Sequence, residues 1–451
     1  MAAMLLNARK ALYFGAHRFI GSSLGTVYEQ YFNEDVQGVS QDVIKQSLVK
    51  LLNHCERNVP YYSNVIDQLG RDYQPDPISY LQRFPILTKD TIRKNFASLT
   101  SMDLSKRKWI YNTSGGSTGE PIKLIQDRVY WDHLMAVQML SFNWAGRAFG
   151  EPAVRIWGLE RDILQGSIGL KRKTLNWLTN DRYLNAFRMT PTRMRSFIDL
   201  LNHNPPKLMI AYAQAIYELA RFAEHEAIDI VPQSSILTSA GTLYSFMREK
   251  VEAVFGCLVF DRYGSREVGD IACECQAHAG LHVFPWTNYV EIVDDEGQPV
   301  PQGIKGKIIV TNMTNFAMPL IRYEIGDRGI LAPREECACG RHGQILERIS
   351  GRSVDAFRTK DGTLIDGEYF THLLYFRDWV HNFQVVQKEY LRLVFIIVKS
   401  ESNPSANELD EIVDKTRAVM GSDCKVEFEW PADIPTSPSG KYRYTISEVQ
   451  P

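Results

Sequence analysis

The chain has no excess of charge of either sign and no apolar run long enough to cross a membrane. Its 451 residues include 51 Lys and Arg against 53 Asp and Glu, so its overall field favours neither nucleic acid nor anionic lipid. Arg9, Lys10, His17 and Arg18 interrupt the apolar N-terminal residues before these reach signal-peptide or membrane-span length. We therefore predict a cytoplasmic protein that begins with an amphipathic helix and has no transmembrane segment and no nucleic-acid partner. The helix is expected to cap a domain; the alternative is an interfacial helix, because Arg and Lys beside Leu, Phe and Tyr also suit a membrane surface.

The chain also lacks internal repeats, low-complexity tracts and the even cysteine count of a disulfide framework. Its seven cysteines, together with the missing secretion signal, indicate reduced thiols. A single hydrophobic core rarely grows beyond about 250–300 residues, so a chain of this length is expected to form at least two domains.

The order of the apolar segments predicts a mixed α/β fold. Short apolar runs that end in small or polar residues, such as AVRIWGL, KLMIAY, SILTSAG and CLVFDRYG, alternate with helical patterns and are typical of buried parallel strands. From Tyr289 onward, alternating strands joined by Gly and Asp turns predict a small antiparallel subdomain. After about Gly351, further strand and helix patterns predict a separate small α+β domain.

The stretch YNTSGGSTGEPIKL, residues 111–124, is rich in glycine and hydroxyl side chains. Closely spaced glycines let backbone N–H groups converge on an anion, so phosphate is the expected guest. Glu120 follows Gly119 where a P-loop requires Lys, which disfavours a P-loop NTPase. As an alternative, Gly115, Ser117 and Gly119 fit the nucleophile elbow of a hydrolase, although the strand-like pattern after the loop favours a hairpin.

Five motifs in order, namely this loop, DRYGSREVG, IRYEIGDRG, ISGRSVDAF and PTSPSGKYRY, resemble the signature motifs of the adenylate-forming superfamily of acyl- and aryl-CoA ligases. Further stretches, ERNVPYY, TNFAMPLIRYEIGD and CACGR, resemble the phenylacetate-CoA ligase branch and its CapK-like polysaccharide-biosynthesis members. The resemblance covers nearly the whole chain. It implies that a carboxylate attacks the α-phosphorus of ATP, releases pyrophosphate, and is then transferred to a thiol or an amine.

The resemblance also implies a division of labour between two domains. Residues 1–348 would form an N-terminal adenylation domain, and residues 349–451 a mobile C-terminal domain that carries the catalytic Lys441. This lysine would reach the carboxylate and the α-phosphate in the first half-reaction. The C-terminal domain would swing about a hinge at Val354 or Asp355, which excludes water from the reactive intermediate.

The nucleotide roles follow from the same resemblance. Tyr263 would lie against the adenine, with Gly264 and Ser265 beside it, while Glu267 would act in catalysis as a magnesium ligand. Asp327 would accept hydrogen bonds from the ribose hydroxyls, joined there by Arg352. The residues that would grip the phosphates are Ser114, Gly115, Gly116, Ser117, Thr118 and Gly119. Glu120 departs from the many members that carry Lys at that position, which removes one cation from the phosphate site.

The pocket for the carboxylic acid is implied at the ends of two predicted strands. Its expected lining is Tyr212, Ala213, Ala240, Gly241 and Thr242. The small residues in this set would leave room for a ring or a branched chain. The sequence does not decide whether CoA or an amine accepts the acyl group, because RTKDGTLIDGEYF stands where the CoA ligases carry an Arg-Gly turn.

Two Cys-x-Cys pairs lie beside histidines, in ACECQAHAGLH and ECACGRHG. Thiolate and imidazole are the preferred ligands of structural zinc, which usually takes four. We predict a structural zinc site made by Cys275, Cys337, Cys339 and either His278 or His282. The alternative is a set of buried free thiols on turns.

Overall fold

The computed structural model describes residues 2–37, 39–113, 122–157, 170–185, 191–241, 243, 245–350, 357–361, 364–365, 367–374, 377, 379–400, 402–434 and 444–449. By its contacts the chain divides into two units, Met1–Asn112 with Leu124–Ser350, and Thr113–Lys123 with Gly351–Pro451. Among the described residues, no helix combines the length and the apolar character needed to cross a bilayer.

Helices of the first unit begin at recognisable local signals. The side chain of Ser40 caps one helix by accepting from the N–H of Asp42, and another helix begins at Pro60. The helices are α1 (Ala2–Phe19), α2 (Leu24–Gln37), α3 (Gln41–Asn58), α4 (Pro60–Leu69), α5 (Pro77–Leu81), α6 (Lys89–Lys94), α7 (Phe96–Leu99), α8 (Arg128–Trp144), α9 (Leu170–Thr179), α10 (Pro191–His203), α11 (Ala213–His225) and α12 (Ser245–Phe255).

The first unit is organised around one sheet of eleven strands. Its strands are β3 (Ala153–Trp157), β4 (Asp181–Asn185), β5 (Leu208–Tyr212), β6 (Ile236–Ser239), β7 (Val259–Ser265), β8 (Gly269–Glu274), β9 (Leu281–Val283), β10 (Asn288–Val293), β11 (Gly306–Asn312), β12 (Tyr323–Leu331) and β13 (Ile345–Ser350). The order across the sheet is β10-β11-β12-β13-β9-β8-β7-β6-β5-β3-β4. A separate two-stranded sheet is formed by β1 (Trp109–Thr113) and β2 (Lys123–Asp127).

The sheet joins a parallel half to an antiparallel half. Strands β3, β5, β6 and β7 pair in parallel, as their apolar runs predict. Strand β4, which the sequence patterns did not predict, pairs in parallel with β3. Strands β10 to β13 pair antiparallel, as the alternating pattern from Tyr289 onward predicts. Strand β9 pairs with both β8 and β13 and so joins them to the parallel half in one continuous sheet. Periodicity predicts the strands but does not identify these partners.

Both faces of the parallel half are covered by apolar side chains. Leu237 and Phe260 belong to a buried cluster that includes residues of α8, whereas their neighbours Ile236 and Val259 pack with residues of α10, α11 and α12. This two-sided burial is the reason that these strands are apolar at successive positions.

The C-terminal part of the second unit has its own sheet and core. Its four-stranded sheet has the order β18-β17-β16-β19, and β14 pairs with β15. The elements are β14 (Phe357–Arg358), β15 (Leu364–Ile365), α13 (Gly367–His372), β16 (Val380–Glu389), β17 (Arg392–Lys399), α14 (Ala406–Met420), β18 (Lys425–Glu429) and β19 (Thr445–Ser447). Ser405 and Glu408 form a capping box at the start of α14.

Arg322, the residue directly before β12, is a buried cation whose side chain makes several hydrogen bonds. Its guanidinium donates to Glu291 at 3.2 Å and to the backbone carbonyls of Gln82, Phe84 and Gly297. Its backbone adopts a φ of 50°, which most residues with side chains avoid. Burial raises the pKa of Glu291 despite the opposing charge of Arg322.

We expect Arg322→Ala to lower the free energy of unfolding by about 3–5 kcal/mol, because it leaves the buried Glu291 carboxylate without its cation. The matched control is Arg328→Ala, since the pair of Arg328 with Asp295 is exposed and contributes at most about 1 kcal/mol. Chemical denaturation of the two variants measures both. Equal losses would show that Arg322 has no special role.

Candidate functional site

Two residues of the predicted nucleotide site are hydrogen-bonded to each other. The hydroxyl of Tyr263, on β7, donates to Oδ2 of Asp327, on β12, at 2.7 Å. Asp327 is buried and Tyr263 is half-buried. The adenine-stacking and ribose-binding candidates therefore lie side by side, although 64 positions separate them in the chain.

Glu267, the magnesium candidate, lies in the turn between β7 and β8 and is buried. The hydroxyl of Tyr323 lies 3.4 Å from Oε1 of Glu267. Tyr323 and Asp327 are both on β12, and the register of this strand with β11 shifts between them. Strand β12 thus contacts two residues of the DRYGSREVG motif through these side chains.

Lys89 supplies a cation to this site that the sequence reasoning missed. Its Nζ lies 4.0 Å from Oε1 of Glu267, and its side chain is largely buried. Leu87 bridges to Tyr323 and exchanges backbone hydrogen bonds with Arg322 and Glu324, which places the start of α6 beside β12. The stretch FPILTKD carries no charge pattern that would have marked Lys89.

The ends of the glycine-rich loop are anchored close to Glu267. Asn112, on β1, donates to the side-chain oxygen of Gln126, on β2, at 2.9 Å. Gln126 in turn donates to the backbone carbonyl of Arg266 at 2.9 Å. The strands that border the loop therefore lie against the turn that carries Glu267.

Several candidates lie outside the described residues. These are Ser114 to Gly119 with Glu120 in the loop, Thr242 in the pocket, Arg352 and the hinge candidates Val354 and Asp355, and Lys441. Around the loop, β1 and β2 are strands of one sheet. The residues described after the loop thus continue as a strand, whereas a Ser117 elbow must lead into a helix.

The predicted pocket residues lie at neighbouring strand ends. Tyr212 ends β5, Ala213 begins α11, and Ala240 and Gly241 follow β6. The ring of Trp157, at the end of β3, lies 4.3 Å from that of Tyr212, measured between ring centroids. Ala240 has a φ of 55°, a conformation that bulkier side chains rarely tolerate. Trp157 was missed because nothing in the sequence pairs β3 with β5.

Asp261 is an acidic side chain on β7, six positions before Glu267. It accepts a hydrogen bond from the Thr238 hydroxyl at 2.9 Å. Burial, assisted by the charge of Glu274, raises the pKa of Asp261 to about 7. The carboxyl group can therefore be either a donor or an acceptor near neutral pH.

Three cysteines and one histidine converge from three segments of the chain. Cys275 follows β8, His282 is on β9, and Cys337 and Cys339 lie between β12 and β13. The ligand atoms of Cys275, His282, Cys337 and Cys339 all lie within 4.8 Å of one another. Cys275 Sγ is 3.8 Å from Cys337 Sγ, and Cys339 Sγ is 3.5 Å from His282 Nε2. A tetrahedron with ordinary zinc bond lengths has S–S and S–N edges of about 3.8 and 3.5 Å. The donor set fits that geometry.

The structure distinguishes the two candidate histidines. Nδ1 of His278 lies 3.3 Å from a carboxylate oxygen of Glu274, and His278 is not part of the cysteine cluster. Burial lowers the pKa of His282 to about 4, so its ring is neutral near pH 7, the form that binds metal. Arg341, two residues after Cys339, donates to both oxygens of Asp35 at 2.8 Å.

The chain is similar to known proteins over most of its length. Residues 357–448 match the family described as the CapK C-terminal domain. The chain is 23% identical to protein CapK of Staphylococcus aureus over 433 residues, 94% of each chain. It is 24% identical to a phenylacetate-coenzyme A ligase of Thermus thermophilus over 437 residues, 89% of this chain and 95% of the relative.

The fold is shared with solved ligases. A structure of 2-hydroxyisobutyryl-CoA ligase, in complex with 2-HIB-AMP and CoA in its thioesterification state, superposes with a TM-score of 0.61 at 17% identity, covering 90% of this chain and 89% of the other. These findings confirm the predicted resemblance to adenylate-forming enzymes of the phenylacetate-CoA ligase and CapK type, together with the fold class. The predicted domain roles, site residues and cytoplasmic location stay predictions.

We expect Gly264→Ala to lower the free energy of unfolding by about 1–3 kcal/mol, because its Cβ would lie 2.6 Å from the carbonyl oxygen of Gly269. Gly15→Ala is the matched control. A Cβ at Gly15, inside α1, meets nothing within 4 Å, so it should stabilise the protein by roughly 0.5–1 kcal/mol. Thermal unfolding distinguishes the two variants, and equal shifts in their melting temperatures would contradict the explanation that the Cβ at position 264 clashes with Gly269.

Proposed function

We propose that the chain catalyses ATP-dependent adenylation of a carboxylic acid and transfers the acyl group to the thiol of CoA. The observation that carries the proposal is the joint placement of the Tyr263–Asp327 pair and of buried Glu267 beside the strands that border the glycine-rich loop. Each group meets one requirement for binding an adenylate. Tyr263 offers a flat ring to the base, Asp327 an acceptor for the ribose hydroxyls, and Glu267 a carboxylate for a metal ion near the phosphates.

In the first half-reaction, a carboxylate oxygen of the acid attacks the α-phosphorus, and the bond from the α-phosphorus to the bridging oxygen breaks to release pyrophosphate. Asp327 would orient the ribose and Tyr263 would support the base. Glu267 would hold Mg²⁺, which neutralises phosphate charge when bound. Lys441 would stabilise the charge that develops between the acid and the α-phosphate.

We propose that Lys89 supplies the positive charge that the phosphate site lacks because Glu120 stands where many members carry Lys. Among the described residues, Lys89 provides the cationic group within ion-pair distance of Glu267, with its Nζ 4.0 Å from Oε1. An ammonium group in this position can balance the charge of Glu267 or of a phosphate oxygen, and its burial strengthens either interaction.

In the second half-reaction, a thiolate attacks the acyl carbon, and AMP leaves with the electron pair of the acyl–oxygen bond. Trp157 and Tyr212 would form an aromatic wall of the acyl pocket next to Ala240. The match of residues 357–448 to the CapK C-terminal domain favours a second candidate. In that case the adenylate is passed to an amine, or a sugar acid is modified, in surface-polysaccharide biosynthesis.

We also propose that Cys275, His282, Cys337 and Cys339 hold a structural zinc ion. Four protein ligands leave no open coordination position, so the ion would have no part in the reaction. It would fix the 337–339 turn to β9.

The adenylation proposal predicts pyrophosphate release from ATP and Mg²⁺ that depends on one class of acid, assayed across aryl, acyl, amino and sugar acids with and without CoA. Glu267→Gln and Lys441→Ala should each lower the rate by about 10²-fold or more, the loss typical of removing one transition-state contact. Lys425→Ala, at an exposed position of β18, is the control.

Stimulation by CoA would decide for the CoA ligase, and stimulation only by an amine would decide for the CapK-like candidate. Absence of release with every acid would overturn the proposal.

Lys89→Ala should lower the rate of the same release by about tenfold or more, because the site loses a buried cation. Lys94→Ala, an exposed lysine on the same helix, should leave the rate unchanged. If the two variants behave alike, Lys89 has no role at the site.

Metal analysis of the purified chain should find about one zinc per chain. His282→Ala should lose the metal and His278→Ala should keep it, since only His282 lies among the cysteines. Loss of zinc from both variants, or no zinc in the wild-type protein, would contradict the assignment.

A further inference from the structure

Helix α1 exposes an apolar stripe along its whole length. Leu5, Leu12 and Phe19 are spaced seven residues apart and have exposed fractions of 47, 55 and 92%. Because seven residues are close to two helical turns, the three side chains lie on one face. Gly15, which lies between the last two, meets nothing within 4 Å. The helix is held to the protein by its other side, where Tyr13 is buried.

The neighbouring helix α9 extends this surface. Leu175 and Trp177 are exposed on it, and the guanidinium of Arg9, on α1, lies over the ring of Trp177 at 5.4 Å. At the end of α1, the exposed Ile20 offers its carbonyl oxygen to the side chains of Lys108 and Arg128. Apolar side chains and cations are thus interleaved across this face.

The charge of this face differs from that of the chain. The sequences of α1 and α9 contain no Asp or Glu, whereas the whole chain has a net charge of -2. On α1, the cations beside the stripe are Arg9 and the exposed Arg18. On α9, Lys173 is exposed as well.

We propose that α1 and α9 form a docking surface for an anionic lipid bilayer. An apolar stripe bordered by cations and free of acids is the pattern of a helix that lies in a membrane interface. The stripe from Leu5 to Phe19 spans about 21 Å at 1.5 Å per residue, so the helix would lie along the surface. Each Lys or Arg close to the anionic headgroups adds a further electrostatic attraction to the membrane surface.

A second copy of the chain fits this face less well. In a symmetric dimer the same patch meets itself, so the cations of α1 and α9 would face identical cations with no acid on either helix to balance them. Nucleic acid would use the cations and leave the apolar stripe in water. The bilayer is the occupant that matches both features.

Flotation of the full chain with lipid vesicles tests the proposal. The chain should float with vesicles of phosphatidylcholine and phosphatidylglycerol, and it should bind pure phosphatidylcholine weakly. High salt should reduce the binding, because exposed charges are screened. Leu12→Ser with Phe19→Ser should weaken it by at least about tenfold, the loss expected when two apolar side chains no longer enter the interface. Arg18→Glu should weaken it as well.

Ile304→Ser is the matched control, since Ile304 is 53% exposed and lies between β10 and β11 in sequence. It should bind vesicles as the wild-type chain does, and all variants should keep the wild-type melting temperature. No binding to anionic vesicles, or equal binding by the stripe variant, would overturn the proposal. A dimer in sedimentation that the stripe variant disrupts would assign the face to a second copy. Pyrophosphate release is measured separately, so failure here leaves the proposed reaction untouched.

Discussion

The candidate site depends on the buried guanidinium of Arg322. This cation is removed from water, which is costly unless acceptors surround it, and Glu291 with three backbone carbonyls provides them. Two of those carbonyls belong to Gln82 and Phe84, just before α6. The same interaction that stabilises the start of β12 therefore fixes the segment that leads to Lys89.

From this anchor the site follows by strand geometry. Tyr323 and Asp327 are both on β12, and they contact Glu267 and Tyr263 respectively. Asn112 and Gln126 tie the borders of the glycine-rich loop to the backbone at Arg266. Groups that would bind a nucleotide are thus held by strands and short turns, which position side chains more accurately than long loops do.

Much of this arrangement could be predicted because it is local in the sequence. A short stretch of sequence is enough to predict each buried strand, each helix and each of the nucleotide motifs. What could not be predicted are pairings between distant segments. Lys89 acquires its place through the bridge of Leu87 to Tyr323, and Trp157 acquires its place through the register of β3 with β5.

The histidine ambiguity has a similar origin. His278 and His282 are both near Cys275 in the sequence, and spacing alone does not separate them. His278 adopts a φ of 48° in the turn after β8, where its ring meets Glu274. His282 lies on β9 opposite Ile345, so the antiparallel pairing of β9 with β13 brings it to the cysteines. The continuity of the antiparallel strands with the parallel half has the same origin, since the partners of β9 are not encoded locally.

The central claim is that Asp327 and its neighbours bind a nucleotide, and a calorimetric titration with ATP and Mg²⁺ tests it most directly. The account predicts that the wild-type chain binds ATP and that Asp327→Ala, while still folded below its melting temperature, binds it at least about tenfold more weakly, a change of about 1.4 kcal/mol. No binding by the wild-type chain, or equal binding by the variant, would contradict it.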